Sequence, residues 1–168
     1  WSPDGKRLAF ISEKEGGPEV FLMDANGERA TRITSNATAD ILGDWSPDGE
    51  WLVYYREGTM EERGLWLRSP DGVNLVRLTT GKDREPAWSP DGTQLAFLSN
   101  QGQDYGRTSL VSFTLSDSSL KRISPSANTA FDWSPDGNHI LYTRRSQPNR
   151  YGSRFWDLYT VPPDASGE

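Results

Sequence analysis

The sequence predicts an all-β fold, a β-propeller of four consecutive four-stranded antiparallel blades. Three observations predict it: a pentapeptide copied four times, short apolar segments at fixed distances after each copy, and turn residues wherever a meander must reverse. Trp-Ser-Pro-Asp-Gly begins at Trp1, Trp45, Trp88 and Trp133, at periods of 44, 43 and 45 residues. These periods suit propeller blades and exceed those of most helical or leucine-rich repeats.

Each predicted strand follows in order. Seven residues after each Trp stands an apolar triplet: Leu8-Ala9-Phe10, Leu52-Val53-Tyr54, Leu95-Ala96-Phe97 and Ile140-Leu141-Tyr142. These segments are continuous rather than alternating, as expected of strands buried on both faces between stacked blades. A third strand is predicted at Val20-Phe21-Leu22, Leu65-Trp66-Leu67, Leu110-Val111-Ser112 and Leu158-Tyr159-Thr160, and a fourth at Arg32-Ile33-Thr34, Arg77-Leu78-Thr79 and Arg122-Ile123-Ser124.

Turn chemistry supports the same division. In Ser-Pro-Asp-Gly, Pro presets φ, Asp suits the third position and Gly takes the left-handed conformation, so a tight hairpin joins strands one and two. Asp24-Ala25-Asn26-Gly27, Ser69-Pro70-Asp71-Gly72 and Ser116-Asp117-Ser118-Ser119 are comparable signals between strands three and four. A β-sandwich with coincidental turns is the alternative, and a fourfold copy at near-constant spacing disfavours it. The first repeat has no strand before Trp1 and the fourth has no Arg-Leu-Thr strand after Val161. The expectation is an open segment, 1–168, of a larger six- to eight-bladed ring, able to self-associate through open blade edges.

Composition narrows the function classes. A formal charge of −6 offers no basic footprint for nucleic acid. The chain has no Cys, which removes disulfides, thiolate metal sites and thiol nucleophiles and leaves the compartment open. No segment reaches the roughly 18 apolar residues of a membrane span, so membrane insertion is not expected. Residue 1 already belongs to the first repeat, so no signal peptide is visible.

The repeat resembles that of the TolB-like propellers, also called WD-like β-propeller repeats. The resemblance rests on Trp-Ser-Pro-Asp-Gly, two apolar strands, an Asn-Gly or Asp-Gly turn and Arg-Leu-Thr, and it covers essentially the whole chain. It implies the propeller fold, a binding scaffold that is not itself an enzyme, and a periplasmic or extracytoplasmic setting. Similar blades occur in tricorn-type and prolyl-oligopeptidase-type peptidases, oligogalacturonate lyases and sensory proteins, so the fold alone names no activity. The alternative reading is a substrate-gating propeller of a larger serine peptidase whose catalytic domain lies outside this chain.

Catalytic signals are mostly negative. His139 is the single His, placed at the start of an outer strand run of the fourth blade, which excludes multi-His metal centres. Gly-x-Ser-x-Gly, phosphate-cradling and His-Glu-x-x-His motifs are all missing. Asp4, Asp48, Asp91 and Asp136 are expected to cap their own turns rather than hold calcium, and Asp24 to Glu28 reads as a hairpin. Asn36-Ala37-Thr38 is a glycosylation sequon relevant only in a eukaryotic secretory setting. No metal, cofactor or catalytic residue is predicted.

Binding is expected on the rim opposite the tight hairpins, where longer segments gather: 56–63, 101–107 and 144–154, with the inter-blade loops 35–44, 80–86 and 125–132. Segment 144–154 carries Arg144, Arg145, Arg150, Tyr151 and Arg154 in an otherwise acidic chain, residue types that anchor partner carboxylates and peptide surfaces. Arg84 joins them from an inter-blade loop. Asp44 and Asp132 precede their Trp and are candidates for a channel mouth, although Ala87 breaks the ring. The predicted partner is a protein or peptide.

Overall fold

The computed structural model describes residues 1–14, 16–100, 108–125, 130–146 and 155–164, and its elements are strands alone. The first sheet comprises β1 (Arg7–Ser12), β2 (Glu19–Asp24) and β3 (Thr31–Arg32). The second comprises β4 (Asp40–Trp45), β5 (Leu52–Arg56), β6 (Gly64–Arg68) and β7 (Leu75–Arg77). The third comprises β8 (Asp83–Trp88), β9 (Gln94–Ser99), β10 (Ser109–Thr114) and β11 (Ser119–Ser124). The fourth comprises β12 (Phe131–Trp133), β13 (Ile140–Arg145) and β14 (Trp156–Val161). Each sheet is an up-and-down meander in chain order, with antiparallel strand pairs, Leu52 facing Arg68 and Tyr54 facing Trp66 in the second.

The repeated hairpin explains the regularity. Ser46 Oγ donates to Asp48 Oδ1 at 2.6 Å, the Glu50 N–H donates to the same carboxylate at 2.9 Å, and the Trp51 N–H donates to Ser46 Oγ at 2.8 Å. Gly49 closes the turn with φ +77°, which a side chain would strain. Ser2, Ser89 and Ser134 build the same turn with Asp4, Asp91 and Asp136. Those aspartates therefore spend their oxygens on backbone, as the sequence suggested, and no group of metal-ligating side chains occurs among the described residues.

The chain divides into two compact units, 1–88 and 89–168. In the first, Val20, Leu22 and Ile33 pack with Trp45, Leu52 and Tyr54, joined by Ala9, Leu42 and Trp66. Alternation places Leu52 and Tyr54 on the face toward the first sheet, while Val53 and Leu65 are fully buried on the other. The inner strands approach closely, since a Cβ on Gly43 would lie 2.5 Å from Pro86 Cγ. In the second unit, Ile140, Tyr142 and Val161 are buried on one face of β13–β14, and Ser112 Oγ donates to the Pro163 carbonyl at 3.1 Å.

Three expectations change. His139 precedes β13, which lies between β12 and β14, so it does not start an outer strand. Arg144 and Arg145 are the last residues of β13 rather than loop residues. Arg84 lies within β8, because the inner strands begin earlier than the apolar pattern suggests.

Candidate functional site

Antiparallel meanders put the tight hairpins at one end of each sheet and the beginnings of inner strands, with the ends of second strands, at the other. This wider end is the candidate site in each unit. In the first unit it is built from two ion pairs. Arg56, ending β5, donates to Asp40, beginning β4, through Nε at 2.7 Å and Nη2 at 2.9 Å. The guanidinium lies 4.7 Å from the Trp66 ring centroid, and the Asp40 side chain is fully buried. Asn36 Nδ2 donates to Asp40 Oδ2 at 2.6 Å, so the sequon asparagine is committed to this network. Hydrogen bonding to Asp40 raises the Arg56 pKa against the opposing effect of burial. Burial pushes the Tyr54 phenol up, with the Asp40 charge adding to it.

The second pair is Glu19 with Arg32, 2.6 Å apart. Burial would raise the Glu19 pKa, but hydrogen bonds from the Thr34 hydroxyl, the Asn36 N–H and Arg32 outweigh it and hold the carboxyl below its ordinary value. In the second sheet Gly64 takes the register position of Glu19, opposite Arg56 as Glu19 is opposite Ser12. Arg77, at the place of Arg32, donates instead to the carbonyls of Arg63 at 2.6 Å and Thr79 at 3.0 Å.

The structure does not gather all the predicted residues. Asp44 is engaged: its Oδ1 accepts the Trp45 N–H at 2.8 Å and its Oδ2 the Trp88 N–H at 3.0 Å. It thereby links successive inner strands, a structural use of a candidate channel residue. Asp132, at the corresponding position, is exposed. Arg84 lies 3.9 Å from Glu85. Arg144 stands over the Tyr159 ring at 4.3 Å, and Tyr159 stacks on Tyr142 at 5.6 Å. Arg145 pairs in register with Trp156 and lies on the opposite face of the sheet from Arg144. Arg150, Tyr151 and Arg154 lie outside the described residues. On the hairpin rim, Arg7, Glu50, Trp51, Pro70, Asp71 and Asn74 line a solvent-open groove of about 360 Å³.

The ion pairs escape a reading based on apolar triplets, yet the sequence does carry a signal for them. Counted from each Trp, position −5 holds Asp40, Asp83 and Asn128, and position +11 holds Ser12, Arg56, Ser99 and Arg144. Asn128 lies outside the described residues.

No protein-family model matches the chain. An uncharacterized protein of Agrobacterium fabrum is 28% identical over 160 residues, covering 86% of this chain and 53% of that protein. A TolB homolog of Chlorobium luteolum is 38% identical over 101 residues, covering 58% of this chain and 22% of its own. The peptidase YuxL of Bacillus subtilis is 30% identical over 138 residues, covering 60% of this chain and 21% of its own. Among solved structures, TolB from Acinetobacter baumannii matches with TM-score 0.77 at 19% identity, over 98% of this chain and 40% of that one. An oligogalacturonate lyase from Vibrio parahaemolyticus matches with TM-score 0.73 at 16% identity, over 99% of this chain and 49% of that one. The chain thus spans from about a fifth to about half the length of these proteins.

Sheet meanders repeated along one chain, matched almost end to end by propeller structures, define a β-propeller chain. TolB proteins stand among its sequence relatives, so its repeats are similar to those of TolB proteins.

Proposed function

We propose that this chain is a non-catalytic scaffold that binds a protein or peptide partner at its wider rim, as part of a larger TolB-like propeller. The observation that carries the proposal is Arg144. It is held on the Tyr159–Tyr142 stack with Asp157 opposite it across the strand pair, and among the described residues no carboxylate forms a salt bridge with it, whereas Arg56 on the comparable Tyr54 and Trp66 surface is closed by Asp40. A guanidinium positioned on rings has little freedom left to lose when it meets a carboxylate. Similarity to TolB proteins supports a scaffold, and periplasmic residence follows the same reading.

The fourth sheet supports membership of a larger ring. Leu141, Trp156 and Leu158 share one face of β13–β14 and are 41%, 57% and 69% exposed. Val53 and Leu65, their counterparts in the second sheet to Leu141 and Leu158, are fully buried. That exposed face would be covered by another blade.

The test is calorimetric affinity for a purified partner, measured with the wild type and with Arg144→Glu, Arg145→Glu and Arg150→Glu. Charge reversal at Arg144 should weaken binding about tenfold or more; unchanged affinity in all three variants would reject this rim. A second reading, a gating propeller within a serine peptidase, is favoured by the similarity to YuxL. Labelling of the full-length protein by a fluorophosphonate would support that reading over the scaffold.

A further inference from the structure

Asp83 begins β8 and is 3% exposed, and among the described residues neither of its carboxylate oxygens has a hydrogen-bond partner. A buried, unpaired carboxylate is costly, so its surroundings need a physical explanation. The preceding repeat supplies one. Asp40, at the same distance before its Trp, receives the two-pronged guanidinium of Arg56 and the amide of Asn36. In the repeat of Asp83, both donor positions have changed: Ser99 stands where Arg56 does, and Gly81, two residues after Thr79 as Asn36 is two after Thr34, stands where Asn36 does. Thr79 Oγ1 accepts the Leu65 N–H at 3.0 Å. Among the described residues, the cations next to it in the chain do not replace the missing donors. Lys82 is exposed, and Arg84, the next residue along an extended strand, sits against Glu85.

We propose that Asp83 is the acceptor for an arginine side chain presented by a protein partner at the wider rim. This rests on the reading that the rim meets such a partner, and it adds the chemistry of one contact. The internal pair shows how the contact is built: Asp40 is wholly buried while the Arg56 side chain that reaches it remains 14% exposed. Asp83 is covered almost as deeply with no guanidinium on it, so the side chains over it must part for the contact to form. Guanidinium suits the geometry better than ammonium, because a planar fork satisfies both oxygens at once.

The experiment titrates the isotope-labelled chain with Nα-acetyl-arginine N-methylamide and follows the amide signals of Lys82, Asp83 and Arg84. Saturable shifts are expected, about tenfold weaker with Asp83→Asn and retained with Arg144→Glu. The citrulline analogue, uncharged and of nearly the same shape, should also bind about tenfold more weakly to the wild type, so the test does not depend on a variant that folds. No saturable response, an equal response in Asp83→Asn, or equal binding of the citrulline or lysine analogue would overturn the assignment. The small probe replaces the partner, so such a failure refutes the role of Asp83 and leaves the Arg144 contact to its own measurement.

Discussion

Two aspartates at the same position of successive repeats should respond in opposite ways to the same substitution. Asp40→Asn removes the charge from a fully buried side chain that accepts two bonds from Arg56 and one from Asn36. Breaking a buried pair costs about 3–5 kcal/mol, chiefly by stranding the surviving charge. Arg56 keeps its place on Trp66 and retains some solvent access, which argues for the lower end, about 3 kcal/mol. That is a large part of the 5–15 kcal/mol typical of a domain. Asp83→Asn removes a charge that no hydrogen bond compensates. In the absence of a partner it should leave stability unchanged or raise it by about 1–2 kcal/mol. Urea unfolding followed by tryptophan fluorescence reads both, the midpoint shift being multiplied by a common slope. The reasoning fails if Asp83→Asn destabilises the chain as much as Asp40→Asn does, or if Asp40→Asn has no effect.

Three further predictions follow from particular contacts. The Asp136 carboxyl, accepting from Ser134 Oγ and the Asn138 N–H, is held down to about 2; carboxyl-carbon NMR titration should show this, and Ser134→Ala should move it toward the ordinary value. A lowered folded-state pKa stabilises above the unfolded value, so this contribution should be lost as pH falls from about 4 to about 2. Gly64→Ala should cost about 3 kcal/mol or prevent folding, since φ is +137° and a Cβ would lie 2.1 Å from the Thr79 carbonyl oxygen; Gly17→Ala, with open space around it, should change the urea midpoint little. Leu158→Glu should reduce self-association of this chain in light scattering, because Leu158 lies on the exposed face of β14; unchanged association would remove that face from the account.

The fold was largely legible because its turns carry local chemistry. Ser-Pro-Asp-Gly specifies a hairpin through a hydroxyl, a carboxylate and a left-handed glycine within a few residues, and the strands flanking it are apolar on both faces. The inner strands were harder to place. Asp-Ile-Leu-Gly-Asp and Asp-Arg-Glu-Pro-Ala are polar or interrupted runs, and both become strand because neighbouring backbones pack on them, Gly43 against Pro86. The candidate site was only partly visible. Arg144 stands out in the sequence because it belongs to a run of arginines, but the same run suggests a loop where β13 continues through Arg145 and turns the two side chains to opposite faces. Asp40 and Arg56 lie 16 residues apart and meet only through strand register, so they emerge when repeats are aligned on their Trp and not when the sequence is read linearly. Asp44 was legible as a rim residue, but its bond to the Trp88 N–H depends on the packing of successive inner strands.

The central claim is that a partner protein is held at the wider rim. Hydrogen exchange on the partner-bound chain tests it most directly. The account predicts slowed exchange at 56–63, 80–86 and 144–146, with the hairpins at 47–50 and 70–74 unchanged. Protection confined to those hairpins would contradict it.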